Sequence, residues 1–232
     1  HYSNQYRNDY HAIDRAMQLL KLIEQFEVES STGSGNMVKD YVDKWSAIDM
    51  CYRQFYTAYD AIVANENFHN LRDMVENLYT NGYLAKLSVL WAERLNAIGD
   101  YGKLDGVKQQ EFYQQFVDPS IQKRATAVII SDAFRYEAAK ELHTEFEGKE
   151  HFDSELSYMV SSLPSYTSLG MAALLPHKEI AFQDNFDVLV DQKPCASSEQ
   201  RQNILQSYRD DSVVSTYTDL MAMNQPQLRE LL

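Results

Sequence analysis

Apolar residues recur every three or four positions through the first 122 residues, which is the spacing of amphipathic helices. A Ser/Gly-rich stretch at 30–36 is typical of a loop, and the Asn81-Gly82 pair is typical of a turn that would interrupt the third helix. The short fourth helix is predicted to end at Pro119. The pattern predicts helices through Ile13 to Phe26, 38–62, 67–98 and 107–117. We therefore expect a helical domain at residues 1–122.

The pattern changes after residue 123, where short β-branched runs alternate with helical spacing. The run Ala125 to Ser131 predicts a strand that is buried on both faces, and it ends on Asp132. A helix is predicted at 134–144, so that strand, carboxylate and helix form the first half of a βαβ unit. Further strands are predicted at 156–160, 179–182, 187–190 and 213–216, and further helices at 167–175, 200–208, 218–223 and 227–232. Residues 123–232 are therefore expected to form an α/β domain.

Charge and composition narrow the functional classes. The 21 basic and 34 acidic residues give a net charge of −13, which works against unspecific nucleic-acid binding over the whole surface. Cys51 and Cys195 lie far apart and are expected to be free, buried thiols in a reducing compartment. No apolar run approaches membrane-spanning length, so a cytoplasmic protein without a membrane partner is expected. The first residue is His1 and the last, Leu232, lies inside a helical pattern, so we interpret the chain as part of a longer protein.

Two segments carry candidate chemistry. Ligands in open α/β sheets bind beyond the carboxyl ends of the strands, where Asp132 is expected. Two interpretations of Asp132 stay open at this point: a helix N-cap, or an oxygen ligand for zinc, manganese or magnesium. Arg135 follows one turn later, either as a clamp for a phosphate oxygen or as a surface charge paired with Glu137 or Glu141.

The second segment, 162–167, brings several hydroxyl groups to the start of a short apolar helix. Ser165 or Thr167 would act only as a cap in the structural interpretation. In the functional interpretation a hydroxyl at this helix start is a nucleophile, and the free backbone N–H groups favour an incoming anion. A bound metal ion would lower the pKa of such a hydroxyl far enough for it to react. Asp132 would help to hold that ion.

The segments Val128 to Glu137 (VIISDAFRYE) and Leu163 to Pro176 (LPSYTSLGMAALLP) closely resemble the PglZ family, the alkaline-phosphatase-like proteins of BREX and Pgl phage-defence systems. The resemblance continues toward the C-terminus through Gln200 to Leu205. It implies the N-terminal part of an alkaline-phosphatase-like α/β sandwich, truncated in this chain, which would follow the helical bundle predicted from the apolar spacing. The fold class expected is therefore α/β.

The resemblance also assigns roles to residues. It implies that Asp132 binds a divalent metal, with zinc first and manganese or magnesium as alternatives. Thr167 matches the nucleophile of phosphonoacetate hydrolases and would also bind the metal, whereas the pattern of nucleotide pyrophosphatases selects Ser162, and Ser165 is a further fallback.

The departure from the family pattern concerns the remaining metal ligands. The superfamily completes its site with later Asp and His residues, typically including an Asp-His pair, and this sequence has no such pair. His143, His151 and His177 do not form an evident triad, and His177 is interpreted as a local cap or surface group. The chain is therefore expected to carry half of a metal site, with weak metal binding or none, and no useful activity alone.

Two hypotheses of function follow for the full protein. The first is a metal-dependent phosphatase or phosphodiesterase acting on a phosphate ester, with a nucleotide or nucleic acid as the candidate substrate. The second is a scaffold that docks other defence-system proteins through its helical half.

Overall fold

The computed structural model describes residues 6–32, 36–150 and 153–231. Its chain packs into two units: the first comprises His1–Leu104 and Phe134–Leu156, and the second comprises Asp105–Ala133 and Ser157–Leu232. These units do not follow the chain as two consecutive halves, because the helix after Asp132 belongs to the first unit. The domain boundary predicted between residues 122 and 123 stays a prediction.

In chain order, the elements as far as residue 104 are α1 Arg7–Thr32, α2 Met37–Asp40, a π-helical turn Tyr41–Trp45, α3 Ser46–Asp60, a 3-10 turn Asn65–Phe68, α4 His69–Asn77, a π-helical turn Leu78–Leu84, α5 Ala85–Ile98 and a 3-10 turn Tyr101–Lys103. Those as far as residue 146 are β1 Val107–Lys108, a 3-10 turn Gln109–Glu111, a π-helical turn Tyr113–Val117, α6 Asp118–Ile121 and α7 Tyr136–Phe146. The rest are β2 Met159–Val160, α8 Thr167–Ala173, β3 Ile180–Phe182, β4 Val188–Val190, β5 Lys193–Pro194, α9 Ser198–Tyr208, α10 Tyr217–Ala222 and α11 Gln225–Leu231.

The long helices predicted in the first part of the chain are confirmed, but the helix pattern passes through two π-helical turns. The Asn81-Gly82 pair lies in the turn Leu78–Leu84, where the helix continues, so the predicted interruption is wrong. A Cβ atom at Gly82 would lie 3.2 Å from Cγ2 of Ile23, so the absence of a side chain there lets α1 approach closely. The glycine thus serves helix packing rather than a turn.

The buried face of α1 consists of small residues near its start, while Ile23 and Phe26 further along are buried as the apolar spacing predicts. Ile13 and Met17 are 39% and 56% exposed, whereas the small residues Ala12 and Ala16 are buried. Small side chains let the backbones of neighbouring helices approach, which a pattern based on large apolar residues does not register. The helix also continues to Thr32, so the predicted loop begins later, and residues 33–35 lie outside the described part.

Aromatic rings fill the core of the first unit. The ring of Phe26 packs edge-on against Trp45 and Tyr83, with centroids 5.2 and 5.0 Å away. On the segment predicted as the second helix, Trp45, Phe55 and Tyr59 are buried in this core. Among the described helices, including the 26-residue α1, none has the length and apolar character needed to cross a membrane.

The second unit contains two small sheets. Val107 and Lys108 of β1 pair in parallel with Met159 and Val160 of β2. Strands β3, β4 and β5 form an antiparallel sheet in that order. Its core is built from α8, β4 and α9 and contains Leu169, Leu175, Val188, Val190 and Ile204. A mixed, helix-rich α/β protein is confirmed.

The central strand predicted at Ala125–Ser131 is wrong for this structure. No strand is formed there, and Ile129 is 92% exposed. The physical reason is pairing: neither of the two sheets in the described residues supplies a ladder beside this run, so its backbone has no strand to join. The strand predicted at 213–216 is absent for the same reason.

Pro119 does not end the fourth predicted helix as expected. The segment instead begins with β1. It continues through the 3-10 turn Gln109–Glu111 and the π-helical turn Tyr113–Val117 to α6, which has Pro119 in its first turn. Helix α6 continues directly from the π-helical turn Tyr113–Val117, so Pro119 lies inside a helical segment that ends two residues later at Ile121.

Candidate active site

Asp132 stands on an irregular segment of the second unit. Its Oδ1 atom accepts a hydrogen bond of 3.0 Å from the backbone N–H of Ala133, which has a left-handed φ of 55°. The following helix has Arg135 as its N-cap residue, and no side chain caps it. The capping interpretation of Asp132 is therefore wrong, and its second oxygen is available for another role.

Thr167 is the first residue of α8, as the sequence predicts. The N-cap residue is Tyr166, and no side chain caps the helix, so neither Ser165 nor Thr167 has the capping role of the structural interpretation. The Thr167 side chain instead reaches Asp132, with 3.5 Å between Oγ1 and Oδ2. The structure thus brings together the two residues expected to share a metal ion.

The length of this contact bears on what the pair can hold. A hydroxyl donating directly to a carboxylate lies about 2.5–2.7 Å from it, so 3.5 Å is long for a hydrogen bond. Two oxygens that each lie about 2.0–2.2 Å from a tetrahedral zinc ion are about 3.3–3.6 Å apart, whereas adjacent ligands of octahedral magnesium are about 2.8–3.0 Å apart. The Asp132 and Thr167 oxygens are therefore close enough together for one divalent ion to contact both, and their separation does not select the metal.

The fallback hydroxyls are placed less favourably. The backbone N–H of Ser162 donates to Oε1 of Gln109 at 3.0 Å, which ties its main chain to the start of the second unit. Ser165 is exposed to solvent. Neither hydroxyl has a hydrogen bond to Asp132 among the contacts of the described residues.

Arg135 belongs to the first unit and contacts a buried acid there. Its Nη1 lies 3.7 Å from Oε1 of Glu137, which is 1% exposed, while the arginine side chain itself is 58% exposed. Glu137 also faces Nε of Arg53 at 3.6 Å. The interpretation of Arg135 as a charge paired with Glu137 is confirmed, and its role as a phosphate clamp stays a prediction.

The histidines do not assemble a metal centre. Within the described part of the chain, no group of three or more His, Cys, Asp or Glu side chains could hold a metal ion. Nδ1 of His143 pairs with the Ser154 hydroxyl, and Nδ1 of His177 lies 2.6 Å from the carbonyl oxygen of Leu175. His151 lies outside the described residues. The expectation that Asp132 and Thr167 form half of a metal site stays a prediction.

Cysteine chemistry has no part in this site. Cys51 and Cys195 are free and buried, which confirms the prediction. Burial raises the pKa of both thiols, so neither is an activated nucleophile. Sγ of Cys195 instead donates a hydrogen bond to the carbonyl oxygen of Val188 in the second core.

The residue that sequence reasoning missed is Gln109. Its side chain contacts the segment of the hydroxyl cluster from a position more than fifty residues earlier in the chain. Glutamine carries no charge and matches no ligand or nucleophile pattern, so no signal in the sequence marks it.

Comparison with known proteins agrees with the resemblance. Residues 112–232 match the family model described as the BREX system PglZ alkaline phosphatase-like domain. The alkaline phosphatase-like protein PglZ of Bacillus cereus (strain H3081.97) is 39% identical over all of this chain, which spans 28% of that protein. The alkaline phosphatase-like protein BrxZ of Escherichia coli O9:H4 (strain HS) is 34% identical over 96% of this chain, which spans 27% of that protein. No solved structure matches the chain.

Proposed function

The chain belongs to the PglZ family, and from this premise we propose that the full protein is a metal-dependent hydrolase of phosphate esters in a bacterial phage-defence system of the BREX or Pgl type. The observation that carries the proposal is the 3.5 Å separation between Oγ1 of Thr167 and Oδ2 of Asp132. Both atoms belong to residues that the sequence selects independently of the structure. Localisation in the cytoplasm is part of the proposal.

In this proposal Thr167 is the nucleophile. Its Oγ1 forms a bond to phosphorus in line with the leaving oxygen, whose bond to phosphorus breaks, and the threonine proton passes to solvent. A water molecule then attacks the phosphorylated threonine, which releases phosphate and restores the hydroxyl. A bound zinc ion, or manganese or magnesium in its place, would lower the pKa of the hydroxyl and offset the developing negative charge.

The other residues bind and orient. Asp132 would hold the metal, while the N–H of Ala133 fixes its Oδ1. Arg135 is proposed to clamp a phosphate oxygen, and its exposed guanidinium leaves it accessible to an anion. The remaining ligands are proposed to come from polypeptide outside this chain, since the chain spans 28% of the PglZ relative. The net charge of −13 favours a small phosphate ester or nucleotide over long nucleic acid as substrate.

Hydrolysis of a nitrophenyl phosphate ester by the full-length protein with zinc tests the proposal. We expect Thr167→Ala and Asp132→Ala each to lower kcat at least a hundredfold, because each removes a group that the reaction requires. Ser165→Ala is the matched control and is expected to keep the wild-type rate. Equal hydrolysis by all four proteins would remove the proposal, and loss of hydrolysis in Ser162→Ala but not in Thr167→Ala would transfer the nucleophile to Ser162.

A scaffold role is a second candidate, favoured by one observation on the first unit. Helix α5 has no fully buried residue: Leu87 and Leu90 are only partly buried against the first core, and Val89 is 58% exposed. Apolar side chains that a helix leaves partly open to solvent are typical of a protein interface. We propose that α5 docks a helix of another protein of the same defence system.

Co-purification with the other proteins of the system, from cells that express the full-length protein, tests docking. Val89→Asp is expected to abolish a co-purifying partner, because it places a charge in the apolar contact. Ser88→Asp adds the same charge at an exposed polar position about 100° around α5 from Val89 and should leave the partner bound. Partner retention in both variants would contradict the scaffold role of α5.

A further inference from the structure

The side chain of Gln109 contacts both ends of the segment 162–170, which contains every candidate nucleophile. At one end, Oε1 of Gln109 accepts the backbone N–H of Ser162 at 3.0 Å. At the other end, Nε2 lies 3.4 Å from the point where a Cβ atom at Gly170 would stand. One side-chain amide thus fixes the residue before the loop and the first turn of the helix after it.

The position of Gln109 is itself fixed by the sheet. Lys108 pairs with Val160 in the parallel ladder of β1 and β2, one residue before Gln109 and two residues before Ser162. The main chain then turns away at Gln109 into a 3-10 turn, whose start is held by the backbone N–H of Lys108 donating to Oε2 of Glu111 at 3.0 Å. Because the backbone turns away from β2 here, no backbone carbonyl of the described residues accepts the N–H of Ser162. Oε1 of the Gln109 side chain accepts it instead.

Gly170 completes the fit. It is the one glycine of α8, and its lack of a side chain lets the Gln109 amide lie against the helix backbone. At 3.4 Å a methyl group would just be accommodated, whereas a longer side chain would displace the amide. The Gln109 side chain thus lies between the Ser162 loop and α8, with room beside Gly170 for no more than a methyl group.

We propose that Gln109 is a positioning residue for Thr167. By joining Ser162 to the first turn of α8, it holds the Thr167 hydroxyl at its 3.5 Å separation from Asp132. Gln109 contacts neither of these two groups and acts through the segment between Ser162 and Gly170. The inference rests on the proposed function only in so far as Thr167 and Asp132 form the reacting site.

Three variants of the full-length protein test the inference. Gln109→Met keeps the length of the side chain and removes the acceptor and donor, while Gln109→Glu keeps an acceptor oxygen. Gln110→Met makes the same change at the exposed neighbour and is the matched control. The readouts are hydrogen exchange at the Ser162 amide with the Val190 amide of the second core as reference, zinc affinity, and the kcat and KM of ester hydrolysis.

We expect Gln109→Met to speed exchange at Ser162 at least tenfold while exchange at Val190 stays unchanged. Zinc affinity and kcat should fall about tenfold with KM little changed, because the residues that orient metal ligands contribute by that amount. Gln109→Glu should keep Ser162 exchange within about twofold of wild type, since it retains the acceptor. Gln110→Met should match wild type throughout.

Gly170→Leu tests the same contact from the other end and should reproduce the effects of Gln109→Met, whereas Gly170→Ala should not. The inference is overturned if Ser162 exchange in Gln109→Met is unchanged, or if its zinc affinity and kcat equal those of Gln110→Met. If the wild type neither binds zinc nor hydrolyses the ester, the proposed function fails. The inference is then decided by a crystal structure of Gln109→Met, in which a longer distance from Thr167 to Asp132 supports it and an unchanged one overturns it.

Discussion

Single residues in the first unit show how buried polar groups are stabilised without water. Asp49, which is 7% exposed, accepts hydrogen bonds from the hydroxyl groups of Tyr41 at 2.6 Å and Tyr79 at 2.9 Å. Burial raises the pKa of Asp49, and the two tyrosine hydrogen bonds offset only part of that rise. A carboxylate in this position therefore costs free energy when it is charged.

The pH dependence of stability follows from this shift. Since the folded-state pKa of Asp49 is raised, its contribution to stability is fully present below the unfolded-state pKa and is lost as pH rises through the folded value. We expect the wild-type free energy of unfolding, minus that of Asp49→Asn, to fall as pH increases from about 4. Urea unfolding of both proteins across this pH range measures the difference.

Asp43→Asn provides a control with the opposite sign. A hydrogen bond from Lys39 lowers the pKa of this exposed carboxyl group, so the stability that it contributes is lost as pH falls. The wild-type free energy of unfolding, minus that of Asp43→Asn, should rise with pH and stay small. A difference for Asp49→Asn that rises with pH would contradict the expected effect of burial.

Tyr166, next to the candidate nucleophile, has a buried hydroxyl with no hydrogen-bond partner among the described residues. We expect Tyr166→Phe to leave stability unchanged or to raise it by about 1 kcal/mol, because the ring packing stays while an unsatisfied polar group is removed. Tyr79→Phe removes a donor to Asp49 and should instead cost about 1–3 kcal/mol. Thermal unfolding measures both, and similar losses in the two variants would contradict this assignment.

At the scale of elements, the sequence predicted helices well, because a helix is formed by interactions between residues that are close in the chain. The helices of the first unit followed from apolar spacing, and the start of α9 is a local capping box, in which Gln200 donates its backbone N–H to the Ser197 hydroxyl and accepts the N–H of Ser197. The strand at 125–131 failed because a strand depends on neighbours far away in the sequence. Gln109 was missed because its partners, Ser162 and Gly170, lie more than fifty residues later in the chain.

The capping box of α9 gives a direct test at this scale. Ser197→Ala should lower the free energy of unfolding by about 1 kcal/mol, since it leaves the N–H group of Gln200 without its acceptor while Ile204 still packs in the core. Ser197→Asp keeps a cap and should retain most of the stability. Urea unfolding measures the losses, and equal losses would show that the cap contributes nothing specific.

At the scale of the whole molecule, the packing of α7 was not readable from the sequence. Glu141 accepts hydrogen bonds of 2.6 Å from both Arg53 and Gln54, and Nζ of Lys140 donates to the carbonyl oxygen of Val42. These pairs are separated by almost ninety residues or more, so no local pattern registers them. By contrast, Asp132 and Thr167 were predicted because each stands in a segment that resembles one family.

The two separate cores lead to an expectation for unfolding. Both tryptophans, Trp45 and Trp91, lie in the first unit, so tryptophan fluorescence reports on that unit. Val190→Ala removes two methyl groups from the second core and should destabilise the second unit by about 2 kcal/mol without moving the fluorescence transition. Far-ultraviolet circular dichroism should detect the change.

The control for this experiment lies in the core of the first unit. Ile48→Val removes one methylene there and should shift the fluorescence transition to lower denaturant concentration. A shift of the fluorescence transition by Val190→Ala would contradict independent unfolding of the two units.

The central claim is that Asp132 and Thr167 bind one ion between them. The most direct measurement is anomalous diffraction at the zinc absorption edge from crystals of the full-length protein grown with zinc. We expect one anomalous peak within about 2.2 Å of both Oδ2 of Asp132 and Oγ1 of Thr167, and its loss in Asp132→Ala. A fully occupied zinc peak elsewhere, with neither of these oxygens as a ligand, would contradict the claim.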